Sequence, residues 1–186
     1  MAVAKYSEEE LLGQLTQLFR EYGFEGTSLS KICDVTGLVK ASLYHRFPKG
    51  KDEMADTVLA RADRIFAEQI LRPLREPGDP KRRLAEVCAG LDKFYASGSC
   101  SCLLDTLTLS VDARGARKHA RKSLQYWVAS FAALSKEAGL PAELARQRGE
   151  DAVAAIQGAL VVARVAGDRK AFRRALESLP ERLLRK

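Results

Sequence analysis

Histidine is almost absent from this 186-residue chain: His45 and His119 lie far apart, and neither stands beside a plausible nucleophile. No paired carboxylates mark an evident pocket either, so the pattern needed for acid–base or nucleophilic chemistry is missing and no enzyme is expected. Cysteine is sparse as well. Cys33, Cys88, Cys100 and Cys102 make no disulfide framework in a chain of this size. The one close pair, Cys100-Ser-Cys102, lacks the further ligands a metal requires, so neither metal nor cofactor is expected, and the thiols are expected to fill small helical positions. A basic-then-apolar leader is missing at the N-terminus, where Ser7-Glu8-Glu9-Glu10 arrives almost at once. The longest apolar stretch, Ala152 to Ala166, is broken by Gln157 and Arg164 and is short for a bilayer. Cytoplasmic residence without a membrane partner is the expectation.

Basic charge is in excess, but not where it would be simplest to read. The formal net charge is +7, yet residues 1–72 hold 10 Lys/Arg against 11 Asp/Glu, a net of −1, and residues 73–186 hold 21 against 13, a net of +8. A case for DNA binding near the N-terminus therefore rests on local arrangement rather than on bulk charge. The basic run from Arg114 to Lys122 spreads its charge around a helix start and reads as a solvated face.

Strand patterns, repeats and low-complexity tracts are also missing, and what remains is helix with firm punctuation. Ser7 and Glu10 form a capping-box pair ahead of Leu11, Leu15, Leu18/Phe19 and Tyr22 at helical spacing. Gly23 and Gly26 bracket the stop. A second helix begins at Thr27 or Ser28, with Leu29, Ile32 and Val35/Thr36 inward, and ends at Gly37, a residue suited to the positive φ of a tight turn. A third, very short helix ends before Pro48. A longer one runs from about Lys51 to Arg72, and others are expected at about 80–97, 100–113, 117–138, 142–166 and 169–183. Gly98, Gly115, Gly139-Leu-Pro141 and Gly167-Asp168 separate these later helices.

The third helix carries the functional argument. Phe19, Leu29, Ile32, Leu38, Leu43 and Phe47 supply a small inner core for two short helices joined by a tight turn, which is a helix-turn-helix. Outward that leaves Val39, Lys40, Ala41, Ser42 and His45, small, polar or basic side chains able to approach a major-groove floor. Tyr44 straddles rim and surface, its hydroxyl expected near a phosphate. Between Gly37 and Lys51 there is no acid at all, as a surface facing phosphates requires. Lys49 and Lys51 oppose the dipole of the following helix unless an anion docks there, and they are read as phosphate contacts.

Residues 11–66 resemble the DNA-binding domain of the TetR family of transcriptional regulators. The resemblance is carried by Phe19, Gly23, Gly26-Thr27-Ser28-Leu29, Ile32, Gly37, Ser42-Leu43-Tyr44, Phe47-Pro48 and Lys51 to Met54. It implies an all-α protein of about nine helices: a three-helix DNA-binding domain over residues 1–50, linked by the helix over 51–72, and a helical effector-binding and dimerisation domain over 51–186. Thr27 and Ser28 join Val39, Lys40, Ala41, Ser42, Tyr44, His45, Lys49 and Lys51 as expected DNA contacts. Two departures stand out. Val39 replaces the family's usual Ser or Thr cap, and one extra residue lies between Phe47 and Lys51.

By the same resemblance, the C-terminal helices surround a ligand cavity, and Phe94, Tyr95, Leu104, Leu107, Trp127, Phe131 and Ile156 are its expected lining, with Asp105 placed to orient the ligand. A Trp and several aromatics suit a small apolar or aromatic effector. The segment Ala152 to Ala166 is apolar nearly all round, which predicts burial on both sides, against its own domain and against a second subunit. Ala155, Gly158, Ala159 and Val162, with Phe172, Leu176 and Leu179 of the last helix, are the expected homodimer interface. The partners implied are a near-palindromic double-stranded operator, an effector that releases it and a second copy of the chain. The expected role is a repressor; the second reading is a helical ligand-binding or adaptor protein without sequence-specific DNA binding.

Overall fold

Ser7 opens the first helix as its spacing predicts. Its Oγ accepts the Glu10 N–H at 3.2 Å, while the Glu10 carboxylate accepts the Ser7 N–H and the Ser7 hydroxyl, each at 2.8 Å; the two bonds to the carboxylate hold the Glu10 carboxyl below its ordinary range. In the computed structural model, which describes residues 7–109 and 114–185 with Arg114 by its backbone alone, nine α-helices and no strand occur among the described residues. The helices are α1 (Glu8–Gly26), α2 (Leu29–Thr36), α3 (Lys40–Arg46), α4 (Lys51–Ile65), α5 (Pro80–Phe94), α6 (Leu103–Thr108), α7 (Arg114–Glu137), α8 (Ala142–Ala166) and α9 (Lys170–Leu184). The all-α expectation holds, with differences at several joints.

Two compact units form. One takes the chain up to Ala62 and again from Leu103 to Ala120; the other takes Asp63–Cys102 and the chain from Arg121 onward. The division falls inside α4, whereas the expected boundary follows residue 50. Met54, Ala55, Val58 and Leu59 are all buried, and Arg61 donates to Glu9 of α1 at 2.9 Å, so the first turns of α4 belong with the helices before them.

In the first unit, α1 bends at Gly23, whose φ of 66° and ψ of −172° break the helix. A Cβ there would stand 3.2 Å from the Thr106 carbonyl oxygen, so α6 packs close on α1 at the kink. The short α6 was expected to run over 100–113. It begins only at Leu103 and ends at Thr108, and the expected remainder lies partly outside the described residues. Cys100 and Cys102 consequently sit in the turn before α6, not on it. Gly115, expected as a separator, is inside α7, where the absent side chain lets the Asp56 carboxylate approach to 2.8 Å of the Cβ position.

The second unit is built on larger apolar side chains. The helix expected to reach Arg72 changes character first: Phe66–Ile70 is a π-helical turn and Arg72–Arg75 a 3₁₀ turn entered through Pro73. Ile70 then packs against Gly90 of α5, where a Cβ would stand 3.2 Å from its Cδ1. Arg83 is a buried tie, donating to the carbonyls of Leu74 (3.2 Å) and Glu76 (2.6 Å) and pairing with Glu137 of α7 at 2.5 Å. Its head therefore satisfies the C-terminal carbonyls of the 3₁₀ turn that no helix continues.

The crossing of α7 and α8 depends on one missing side chain. A Cβ on Gly149 would lie 2.5 Å from the Val128 carbonyl oxygen and 3.1 Å from the Ala132 nitrogen. Backbone cannot rotate aside as a side chain can, so the helices must separate. Gly149→Ala should lose about 2–3 kcal/mol of stability despite its better helix propensity, and urea unfolding followed by circular dichroism checks this. An unchanged midpoint would mean that the crossing is looser than described.

Candidate nucleic-acid interface

The surface from Val39 to His45 is positioned by the two helices behind it. Thr27 fastens the end of α1, its hydroxyl donating to the carbonyls of Gly23 (2.6 Å) and Leu18 (3.2 Å). Ser28 caps α2 by accepting the Lys31 N–H at 3.1 Å. Thr36 closes the helix with a 2.7 Å bond to the Ile32 carbonyl, and its oxygen accepts the Leu38 N–H at 3.3 Å. Gly37 takes the left-handed conformation at φ 63°, its N–H reaching the Cys33 carbonyl at 2.7 Å. The chain then turns into α3, of which only Leu43 is buried.

Seven residues with one inward anchor leave nearly the whole helix facing outward. Lys40, Ala41, Tyr44 and His45 are exposed, Ser42 is half-buried, and Val39 is 66% exposed. Val39 provides no side-chain cap, and no acidic residue occupies the first turn. An exposed Val and a Lys at an uncompensated helix start contribute little to folding, which marks them as surface kept for another purpose.

The turn into α4 extends the surface. Gly50 is buried with φ of +67°, and a Cβ on it would sit 3.4 Å from Cε1 of Tyr44, so the Tyr ring lies over the turn. Lys49 is exposed, while Lys51 is half-buried with its ammonium 4.3 Å from the centre of the Phe24 ring. The sequence reading gave too little weight to Asp52 and Glu53, which occupy the same first turn. Glu53 accepts the Lys49 backbone N–H at 2.9 Å, so that amide is already taken, while the exposed Lys49 side chain is not part of the bond. Lys31, which the sequence reading did not single out, sits 3.3 Å above the Tyr22 ring.

Of the ten expected DNA contacts the structure withdraws one. Thr27 is 0% exposed and spends its only donor on the α1 carbonyls, so its part is to hold α1 against the turn. The other nine lie on α3, at its entry, at the start of α2 or on the turn into α4. Inside the helix-turn-helix, Phe19, Ile32, Leu43 and Phe47 are buried as expected, but Leu29 and Leu38 are only half-buried, and Tyr22 and Val35 are exposed.

The expected effector residues divide between the two units. Leu104 and Leu107 lie on α6 in the first; Phe94, Tyr95, Trp127, Phe131 and Ile156 lie in the second. There the rings form one cluster centred on Phe66. It stacks on Trp127 at 3.9 Å and meets Phe94 edge-on at 5.4 Å. Tyr95 meets Phe94 at 5.0 Å and Phe172 at 5.9 Å, its hydroxyl donating to the Cys102 sulfur at 3.5 Å. Cys88 of α5 is half-buried, its thiol donating to the Leu176 carbonyl of α9 at 3.6 Å, and burial pushes that thiol up to about 11 and keeps it protonated.

Four of the seven residues expected at the subunit interface face inward. Phe172 and Leu179 are 0% exposed, and Leu176 and Ala159 are buried, all within their own unit. Phe172 lies so close to Gly98 that a Cβ on the glycine would stand 2.8 Å away. Helix α8 is not buried on every side: its inner face holds Ala152, Val153, Ile156, Ala159, Leu160 and Ala163, while Ala154, Gly158, Val161, Val162 and Val165 are exposed. Gly158 and Val162 thus remain from the expected set, Ala155 is half-buried, and Val161 and Val165 join them. Among the described residues no helix is long and apolar enough to cross a membrane.

Comparison with known proteins bears on both units. The family described as "Bacterial regulatory proteins, tetR family" matches residues 11–58. A second, described as "Transcriptional regulator LmrA/YxaF-like, C-terminal domain", matches residues 82–178. The uncharacterized HTH-type transcriptional regulator YxaF of Bacillus subtilis is 25% identical over 178 residues, covering 94% of this chain and 93% of its own. Among solved structures, a TetR transcriptional regulator from Legionella pneumophila aligns with a TM-score of 0.83 at 17% identity, over 98% of this chain and 100% of its own. The regulator CifR, a cysteine mutant solved with 26-base-pair operator DNA, aligns with a TM-score of 0.76 at 18% identity over 97% of each chain.

Proposed function

The chain belongs to the tetR family of bacterial regulatory proteins and is a DNA-binding transcriptional regulator, and we propose that it is a homodimeric repressor released from its operator by a small apolar or aromatic effector. The observation that carries the reading is the outward face of α3: a helix of seven residues anchored by Leu43 alone, with Lys40, Ala41, Tyr44 and His45 exposed, Ser42 half-buried and Val39 exposed at its entry. One such helix reads few base pairs. Two of them, about 34–36 Å apart or a multiple of that, read the half-sites of a near-palindrome.

Ser28, Lys49 and Lys51 supply phosphate contacts around the reading helix, and CifR in its complex with operator DNA is a precedent for a chain of this fold on a duplex. The second copy docks on the exposed stripe of α8. An effector enters at the aromatic cluster of the second unit, where Phe94, Tyr95 and Trp127 pack on Phe66 and on one another and part to admit it. Release requires that it bind the DNA-free arrangement better than the DNA-bound one, because equal affinity for both shifts nothing. Helices α4 and α7 each contribute residues to both units, and they are the continuous helical routes for that signal.

Selecting fragments from a random or genomic DNA pool with the purified protein tests the reading. Paired, inverted half-sites are the expected product, and recovery of no preferred sequence at physiological salt overturns it. On the selected operator, Tyr44→Ala and Lys51→Ala should each weaken binding by roughly tenfold. The Lys51 loss should be alike on specific and random DNA and should lower the salt slope by about one per subunit. Wild-type titrations for both variants would remove the turn into α4 from the interface.

A further inference from the structure

Helices α8 and α9 pack against each other in the second unit, and near the start of α8 and the end of α9 they leave a cleft of about 440 Å³. Its walls are Arg148 of α8 and Ser178, Glu181, Arg182 and Arg185 at the end of α9. Three guanidinium groups therefore meet one carboxylate. That carboxylate is committed, since Arg185 donates to Glu181 at 2.6 Å. Arg182 finds only the Ser178 hydroxyl, at 3.0 Å from its Nε. Arg148 is more exacting: its Nε is buried and has no hydrogen-bond partner among the described residues. That Nε is closed off from the cleft, so an oxyanion there would be met by the terminal nitrogens of a guanidinium that no carboxylate pairs.

The arginines have separate reasons to be where they are, and not all of those concern folding. Arg182 and Arg185 complement the negative end of α9. Arg148 sits in the second turn of α8, far from that helix's C-terminus, and no macrodipole term favours it there. Its neighbour Arg146 shows what a purely structural arginine on this helix does, pairing with both Glu143 and Glu150. Arg148 stands five residues after Glu143 and two before Glu150, spacings that place those acids on other sides of the helix, and it pairs with neither.

We propose that this cleft is a second ligand site, for a small multivalent anion bearing phosphate or carboxylate groups, distinct from the aromatic cluster. Arg148 and Arg182 each bring to it a guanidinium that no carboxylate occupies, while the Ser178 hydroxyl donates to the Ala175 carbonyl at 2.8 Å and holds Arg182 in place. The apolar effector of the aromatic cluster could not serve here, because no aromatic or aliphatic side chain lines the cleft.

Titrating the full-length protein calorimetrically with inorganic pyrophosphate and with citrate, at fixed ionic strength, tests the proposal. Saturable binding of one anion per chain at millimolar concentration or below is expected, and the preferred anion identifies the source chemistry. Arg148→Gln should weaken it tenfold or more and Arg182→Gln should also weaken it. Arg146→Gln, which removes the same charge two residues away, should change it less than twofold. No saturable binding overturns the proposal, as does an equal loss in the Arg146 and Arg148 variants, which would reduce the effect to diffuse attraction. Binding seen only in a dissociated chain overturns it too, because the cleft would then belong to contacts with a second copy.

Discussion

Ala41→Glu should leave the protein as stable as before and reduce operator affinity at least a hundredfold. The two expectations come from one position. Ala41 is the second residue of α3, exposed, in a first turn with no acid and no side-chain cap. A carboxylate there complements the helix dipole and adds a few tenths of a kcal/mol, so the melting temperature should hold or rise slightly. Facing DNA, the same carboxylate meets phosphates and the acceptor-rich edges of the major groove. Each good base contact is worth about 1–3 kcal/mol, and the change enters twice in a dimer, which is how a single atom group removes two orders of magnitude. Fluorescence anisotropy on the selected operator, paired with circular dichroism melting, separates the two effects. Retained affinity with a retained fold would show that α3 does not enter the groove.

The helix-turn-helix was legible because its local signals agree. Ser28 as a cap, Gly37 as a left-handed stop, Leu43 and Phe47 as anchors and a run without acids all point to one local structure, and none needs a distant residue to make sense. Thr27 shows where that reading ends. A Thr before a helix looks like surface hydroxyl in sequence, and only the fold of α1 at Gly23 brings two carbonyls within reach of it. The boundary between the units was equally hidden. Helix α6 joins α1 through a contact spanning some eighty residues, from Gly23 to Thr106, and periodicity carries no information about such pairs. Nor could Phe66 be read as the hub of the rings, because its stacking partner Trp127 lies on another helix.

In α8 the failure is instructive in a different way. A helix apolar all round has two faces to cover, and the sequence pattern identifies both without saying which one its own chain takes. The structure assigns Ile156, Leu160 and Ala163 to the inside and leaves Val161, Val162 and Val165 outside. Helix α9 has its apolar side fully used by its own unit, through Phe172, Leu176, Leu179 and Leu183. The apolar pattern and the family resemblance together imply that both helices give side chains to a partner. Burial now restricts that offer largely to α8.

That restriction makes the subunit contact testable by contrast. Val162→Arg combined with Val165→Arg should convert the protein to a folded monomer, whereas Phe172→Arg should unfold it. Val165 is 81% exposed and Val162 is 53% exposed, so neither arginine displaces packing within the chain. Across a two-fold axis every substitution counts twice, and the stripe would lose about 1.5 kcal/mol per valine while burying four cationic heads without partners. A rise of a thousandfold or more in the dimer dissociation constant is expected, read by sedimentation velocity across a concentration series. Operator affinity should fall with it, because a monomer engages one half-site at a time. Phe172 has no such freedom: it is enclosed by Tyr95 and Gly98, and a charge there has nowhere to go. If the double variant remains dimeric and still binds the palindrome, the second copy docks elsewhere, and the exposed valines of α8 lose the role assigned to them.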